Sequence, residues 1–197
     1  PALTVTQVKL GDGVIRLTTG AGSYDSILVE FKDYVMMLEA GQPEARGVAY
    51  IAETKKIFPS KPLRYVWNSH PHSDHTGGLP ALVADNVTII TQQNNKEFFE
   101  KALNTPRTLL NDSLAKSPKK VKIETIGEKK VYSDGTRTVE FYHIYPSPHS
   151  NGLTIAFIPK EKILFQADYT LPAAGQQPND HIKALQPIVE KLNLDFE

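Results

Sequence analysis

What most limits the fold of this chain is a short stretch in which an apolar run stops at a cluster of metal-binding side chains. Leu63 to Asn68, Leu-Arg-Tyr-Val-Trp-Asn, reads as a buried strand, and Ser69 leads straight into His70-Pro71-His72-Ser73-Asp74-His75. Four potential ligands fall within six positions and include three of the chain's six histidines. On an extended backbone the side chains at i and i+2 point the same way, so His70 and His72 can converge on one ion. Asp74 and His75 lie where the chain turns towards a helix, and they can face a second ion nearby. Gly77 and Gly78 follow, removing two Cβ atoms where the backbone passes the site. Imidazole with carboxylate and no thiolate suits zinc, iron or manganese. A polar turn that merely collects histidines is the alternative, and the apolar strand directly before the cluster argues against it.

The rest of the sequence narrows the class. A length of 197 residues suits one domain, residues 1–197, with a core of its own. Lysine plus arginine balances aspartate plus glutamate at 22 each, which argues against a general nucleic-acid or anionic-membrane surface. No apolar run is long enough to span a bilayer. The expected partner is a small-molecule substrate, and oligomeric state cannot be read. The absence of cysteine excludes disulfides, thiolate ligands and a cysteine nucleophile. The sequence opens at Pro1 and its methionines are Met36 and Met37, so a processed or trimmed N-terminus is expected; removal of an export signal would give this and so would other trimming, which leaves an exported and a cytoplasmic location both open.

Period changes along the chain give the element order. Val5–Leu10, Val14–Thr18, Ser26–Lys32 and Tyr34–Ala40 read as strands, the last two as a hairpin meeting at Asp33, with a turn at Gly20-Ala21-Gly22. Gln42–Phe58 shifts to a helical period, with Ala45, Val48, Ala49, Ile51, Ala52 and Ile57 on the expected buried face. After the histidine cluster come a helix at Leu79–Ala84, a strand at Val87–Thr91, a helix at Lys96–Leu103 and an unassigned polar stretch at Thr105–Lys120. Val121–Ile126 is a strand. Lys130–Ser133 and Thr136–Tyr145 flank the hairpin signal Asp134-Gly135, and Leu153–Ile158 pairs with Lys162–Ala167. Asp180 is the expected cap of a last helix reaching about Leu192. Strands alternating with amphipathic helices indicate an α/β chain whose sheets are covered by helices.

The segment His70-Pro71-His72-Ser73-Asp74-His75 resembles the His-x-His-x-Asp-His signature of the metallo-β-lactamase superfamily, and the order of paired strands, helix and strand before it is similar as well. The resemblance covers most of the chain. It implies an α/β (α+β) four-layer αβ/βα sandwich and a two-metal centre, with zinc expected and iron or manganese as alternatives. A further histidine on a later loop is implied. It matches His149 in Ser147-Pro148-His149-Ser150, whereas His143 lies inside a strand pattern and reads as a sheet residue. A bridging aspartate at a strand end matches Asp168 after Ile163–Ala167. The implied ligands are therefore His70, His72, Asp74, His75, His149 and Asp168, with Asp74 also orienting the nucleophile. The absence of cysteine argues against the β-lactamase subclasses that carry one at the Asp168 position.

Two departures stand out. Glu39-Ala40-Gly41 occupies the place where the family usually has Asp-x-Gly in support of the ligands, so a carboxylate one methylene longer must do that work. The family's last histidine ligand follows the final helix and one more strand, and no residue here matches it. His181 starts the final helix and reads as a surface residue, so the C-terminal end is expected to be incomplete and the first metal site the tighter one. The resemblance implies a hydrolase in which a metal-bound hydroxide attacks an ester, lactone, thioester or β-lactam-like bond. Two rivals are a mononuclear iron sulfur oxygenase of the same fold and a non-catalytic metal-binding remnant. Flavodiiron relatives place Glu where His72 stands, which disfavours a redox di-iron reading. The loops at Thr105–Lys120 and Leu171–Pro178 are expected to shape the pocket.

Overall fold

A computed structural model describes residues 3–20, 24–169, 172 and 175–196. Strands β1 (Thr6–Gly11), β2 (Val14–Thr18), β3 (Ser26–Glu30) and β4 (Val35–Leu38) form an antiparallel meander. Helix α1 (Glu44–Ile57) then carries the chain over one face, and β5 (Leu63–Trp67) returns parallel to β4. Two short helices, α2 (Ser73–Thr76) and α3 (Leu79–Ala84), lead to β6 (Thr88–Gln92), and α4 (Lys96–Asn104) and α5 (Ser113–Lys116) lead to β7 (Ile123–Ile126). Both β6 and β7 extend the sheet in parallel, giving seven strands in sequence order. A second, antiparallel sheet follows from β8 (Lys129–Ser133), β9 (Thr138–His143), β10 (Thr154–Ile158) and β11 (Ile163–Phe165), and α6 (Asp180–Leu192) comes after it.

Three apolar clusters hold these elements as four layers. Met36, Leu38, Trp67 and Ile90 of the first sheet meet Val139, Phe141, Ala156 and Ile158 of the second. Val35, Met37, Val66 and Ile89 point the other way and pack on Tyr50, Leu79, Leu82 and Phe99 of the helices. On the far side, Tyr142, Ile155 and Phe157 pack against Leu185 and Val189 of α6. This explains why Val35–Leu38 is apolar at every position, since both faces of β4 are covered. The arrangement is the α/β sandwich expected from the sequence.

The structure corrects two expectations. Helix α1 does not bury Ala45, Val48 and Ala52, which are exposed; it buries Arg46, Gly47, Tyr50, Ile51 and Thr54. Gly47 decides the rotation, because a Cβ there would stand 2.5 Å from the Gly78 carbonyl oxygen. Only a glycine lets α1 approach the turn after the histidine cluster so closely. The cap of α6 is Asn179, whose side chain accepts from the Ile182 amide, and Asp180 is the first helical residue. Ala21 and Gly22 of the expected turn, and Leu171, Ala173 and Ala174 of the expected pocket loop, lie outside the described residues.

Candidate metal centre

Strand β5 ends at Trp67 and delivers its next residues to the seam between the two sheets. Trp67 Nε1 donates to Thr154 Oγ1 at 2.9 Å, and the Thr154 amide donates to the Ser69 carbonyl at 3.0 Å, so β5 and β10 are tied directly beneath the histidines. His70 is fully buried there. The chain stays extended through His72, which caps α2, and turns into that single helical turn at Ser73 to place Asp74 and His75.

One group consists of His70, His72, His149 and Asp168. The His70 Nε2 atom lies 3.0 Å from His72 Nδ1 and 3.0 Å from His149 Nε2. His149 Nε2 is 2.5 Å from Asp168 Oδ2. Ser69 Oγ sits 2.9 Å from His70 Nδ1, within hydrogen-bond reach, so the ring is held with Nε2 towards the other imidazoles. Burial, followed by the neighbouring His75, His149 and His72, pushes the His70 imidazole down to about 2, so it stays neutral at any ordinary pH. Burial also lowers His149, against the opposing pull of Asp168.

The second group is Asp74, His75 and Asp168, so Asp168 belongs to both. His75 is held from both ring nitrogens: Nδ1 stands 3.2 Å from Glu39 Oε2 and Nε2 stands 3.0 Å from Asp168 Oδ1. Burial lowers this imidazole, but the carboxylates of Glu39, Asp168 and Asp74 overcome that and raise it to about 9. Glu39 reaches the site despite its extra methylene. Its backbone is left-handed, at φ 67°, and its Oε1 accepts from the Ser69 amide at 2.7 Å. The carboxylate thereby ties β4 to the loop after β5 and aims His75 inward.

Asp168 is set by a turn after β11 in which Gln166 Oε1 accepts from the Asp168 and Tyr169 amides, at 3.1 and 2.5 Å. The His149 loop is fastened by Ser147 Oγ, which accepts from the His149 amide at 3.2 Å and lies 3.2 Å from the Tyr169 hydroxyl.

All six residues expected as ligands thus converge. His143 does not join them: its Nε2 lies 2.8 Å from the Asn151 carbonyl. His181 corrects the sequence reading. It is half-buried, and its ring packs 5.3 Å from that of His149 and 5.1 Å from that of Tyr169. Sequence reasoning missed Tyr24, whose hydroxyl donates to Asp74 Oδ2 at 3.1 Å and whose ring meets His75 edge-on. No local motif marks Tyr24, since its contact spans 50 positions. A cavity of about 370 Å³ opens on the second group, lined by Tyr24, Asp25, Glu39, Asp74, His75 and Asp168 together with Phe165 to Ala167 and Tyr169.

Comparison with known proteins agrees with this geometry. A family model described as the metallo-β-lactamase superfamily matches residues 19–191. The α subunit of 2,4-dinitroanisole O-demethylase from Nocardioides sp. (strain JS1661) is 25% identical over 179 residues, covering 85% of this chain and 46% of that subunit. The chain therefore spans about half the length of this curated relative. Among solved structures, a metallo-β-lactamase from Pontibacter korlensis superposes with a TM-score of 0.69 at 17% identity, covering 98% of this chain and 88% of its own. The flavodiiron core of Flv1 from Synechocystis sp. PCC6803 gives 0.70 at 14% identity, covering 100% and 55%. At these identities the solved structures speak for the fold alone. With the family model spanning most of the sequence and the histidine–aspartate cluster at the seam of the sandwich, the chain belongs to the metallo-β-lactamase superfamily.

Proposed function

We propose that this chain is a two-cation hydrolase that cleaves an ester, lactone, thioester or β-lactam-like bond. The observation that carries the reading is the sharing of Asp168 between two donor groups, which gives a bridged pair of sites. The donors fit divalent cations by their chemistry. Three imidazole nitrogens converge within 3.0 Å steps, and a tetrahedral zinc with Zn–N bonds of about 2.0–2.1 Å has ligand nitrogens about 3.3 Å apart. Three nitrogens this close cannot all carry protons, and a cation among them uses their lone pairs.

His70, His72 and His149 would hold one ion, Asp74 and His75 the other, and Asp168 both. Bound there, the ions would supply an activated water and a Lewis acid for the substrate oxygen. The chain's own residues do the rest. Glu39 keeps the His75 ring aimed at the centre, Ser69 holds the Nδ1 side of the His70 ring, and Tyr24 holds one oxygen of Asp74, leaving the other for an ion or for a proton from the attacking water. We expect the three-histidine site to be the tighter one.

The relative from Nocardioides is named for removing a methyl group from 2,4-dinitroanisole, so an activated aryl ether belongs beside esters and lactones in a substrate screen. The deciding experiment is elemental analysis of the purified protein beside His149→Ala. About two zinc ions per chain, falling in the variant, with ester or lactone turnover, are expected. A single iron per chain with no hydrolysis would favour the sulfur oxygenase reading instead.

A further inference from the structure

His149 is held differently from His70 and His75. The Nδ1 atom of His70 meets Ser69 Oγ at 2.9 Å, and that of His75 meets Glu39 Oε2 at 3.2 Å. His149 Nε2 faces His70 and Asp168, but its Nδ1 makes no hydrogen bond among the described residues. Ser147 Oγ accepts from the His149 amide at 3.2 Å, which fixes the backbone and leaves the ring to packing. That ring meets His70 and His72 edge-on, with centres 4.7 and 4.5 Å away. Its other ring neighbours are Tyr169, 6.1 Å away at 89°, and His181, 5.3 Å away at 58°. His181 and Tyr169 are themselves 5.1 Å apart, so rings from the His149 loop, the turn after β11 and helix α6 close on one another.

Helical spacing brings His181 to that place. Leu185 and Val189 are the buried residues of α6, and they pack on Tyr142, Ile155 and Phe157 of the second sheet. His181 lies four and eight positions before them, on the same face of the helix. The stripe that seats α6 on the sheet therefore ends on the metal centre. We propose that His181 is a positioning residue: its ring packs on His149 and so sets how firmly the three-histidine site keeps its ion. The inference rests on the reading above for the presence of the ions and not for the reaction. A ligand ring that packing has already confined loses less freedom when an ion binds, so the bound state is favoured without any new contact to the ion.

The test compares His181→Ala and His181→Phe with the unaltered zinc-loaded protein, reading the zinc affinity of each site by competition with a chelator. His181→Ala is expected to weaken the three-histidine site about ten-fold while the Asp74–His75 site changes by less than about two-fold. His181→Phe keeps a flat ring on His149 without its nitrogens, and it is expected to restore most of the lost affinity. No loss in His181→Ala, an equal loss at both sites, or a His181→Phe as weak as His181→Ala would overturn the proposal. The expected pattern of affinities without turnover of any ester or lactone would leave the positioning role standing and remove the hydrolase reading. Turnover with two zinc ions and an unaffected His181→Ala would do the reverse.

Discussion

At the residue scale, one carboxylate carries more than its position suggests. Glu39 is buried, left-handed in its backbone and bonded at once to the Ser69 amide and the His75 ring. Glu39→Gln keeps an acceptor for Ser69 but removes the charge facing His75. Support of this kind is worth roughly 10–100-fold in metal affinity, and the loss should fall on the Asp74–His75 site while the three-histidine site holds. Metal titration against a competing chelator reads both sites; equal weakening of the two would contradict the assigned role. The same residues make stability depend on pH once metal is removed. His75 is raised from its ordinary 6.5 to about 9, so the folded chain binds the extra proton between those values and stability falls as pH rises through that window. His70 is depressed from 6.5 to about 2, so the unfolded chain binds the extra proton below 6.5 and stability falls as pH drops. The thermal midpoint of chelator-treated protein should therefore peak near pH 6.5, and Glu39→Gln should flatten the alkaline limb. A midpoint that climbs steadily to pH 9 would refute this.

At the scale of elements, α1 and the turn after the histidines are locked by the absence of side chain. A Cβ at Gly47 would press on the Gly78 carbonyl, and one at Gly78 would lie 2.8 Å from the Ala40 carbonyl. Alanine is the better helix former by about 1 kcal/mol, but overpacking costs about 1–3 kcal/mol, and the opposing atom is backbone that cannot swing aside. Gly47→Ala should therefore destabilise the protein in denaturant titration despite its higher helix propensity. Val48→Ala, on the exposed face, should change stability by less than about 0.5 kcal/mol. The opposite ranking would mean that α1 sits on the face its apolar residues suggest. That face misled because α1 spends its apolar positions unevenly: Val48 is nearly half exposed, while Arg46 and Thr54 are inside with hydrogen bonds to the Tyr24 and Tyr50 carbonyls.

At the scale of the whole molecule, the centre exists because two sheets meet. His70, His72, Asp74 and His75 hang from the first sheet, His149 and Asp168 from the second, and Trp67 joins the two through Thr154. Trp67→Phe keeps most of the packing and loses that hydrogen bond, so a stability loss on the order of 1–3 kcal/mol is expected, accompanied by weaker metal retention. Unchanged metal retention at that loss would show that the seam is held elsewhere. By itself the sequence determined the order of elements, the covered strands and the four donors His70, His72, Asp74 and His75, because apolar period and ligand spacing are local patterns that the backbone turns directly into direction, while His149 and Asp168 were implied by the family resemblance. Only the tertiary structure decided which face of α1 is buried, that Tyr24 reaches Asp74, that His181 packs on His149 and Tyr169, and that Glu39 spans its extra methylene to His75. Each of those depends on contacts between residues far apart in the chain, and a close approach such as Gly47 on Gly78 is set by how the layers stack rather than by either glycine's neighbours.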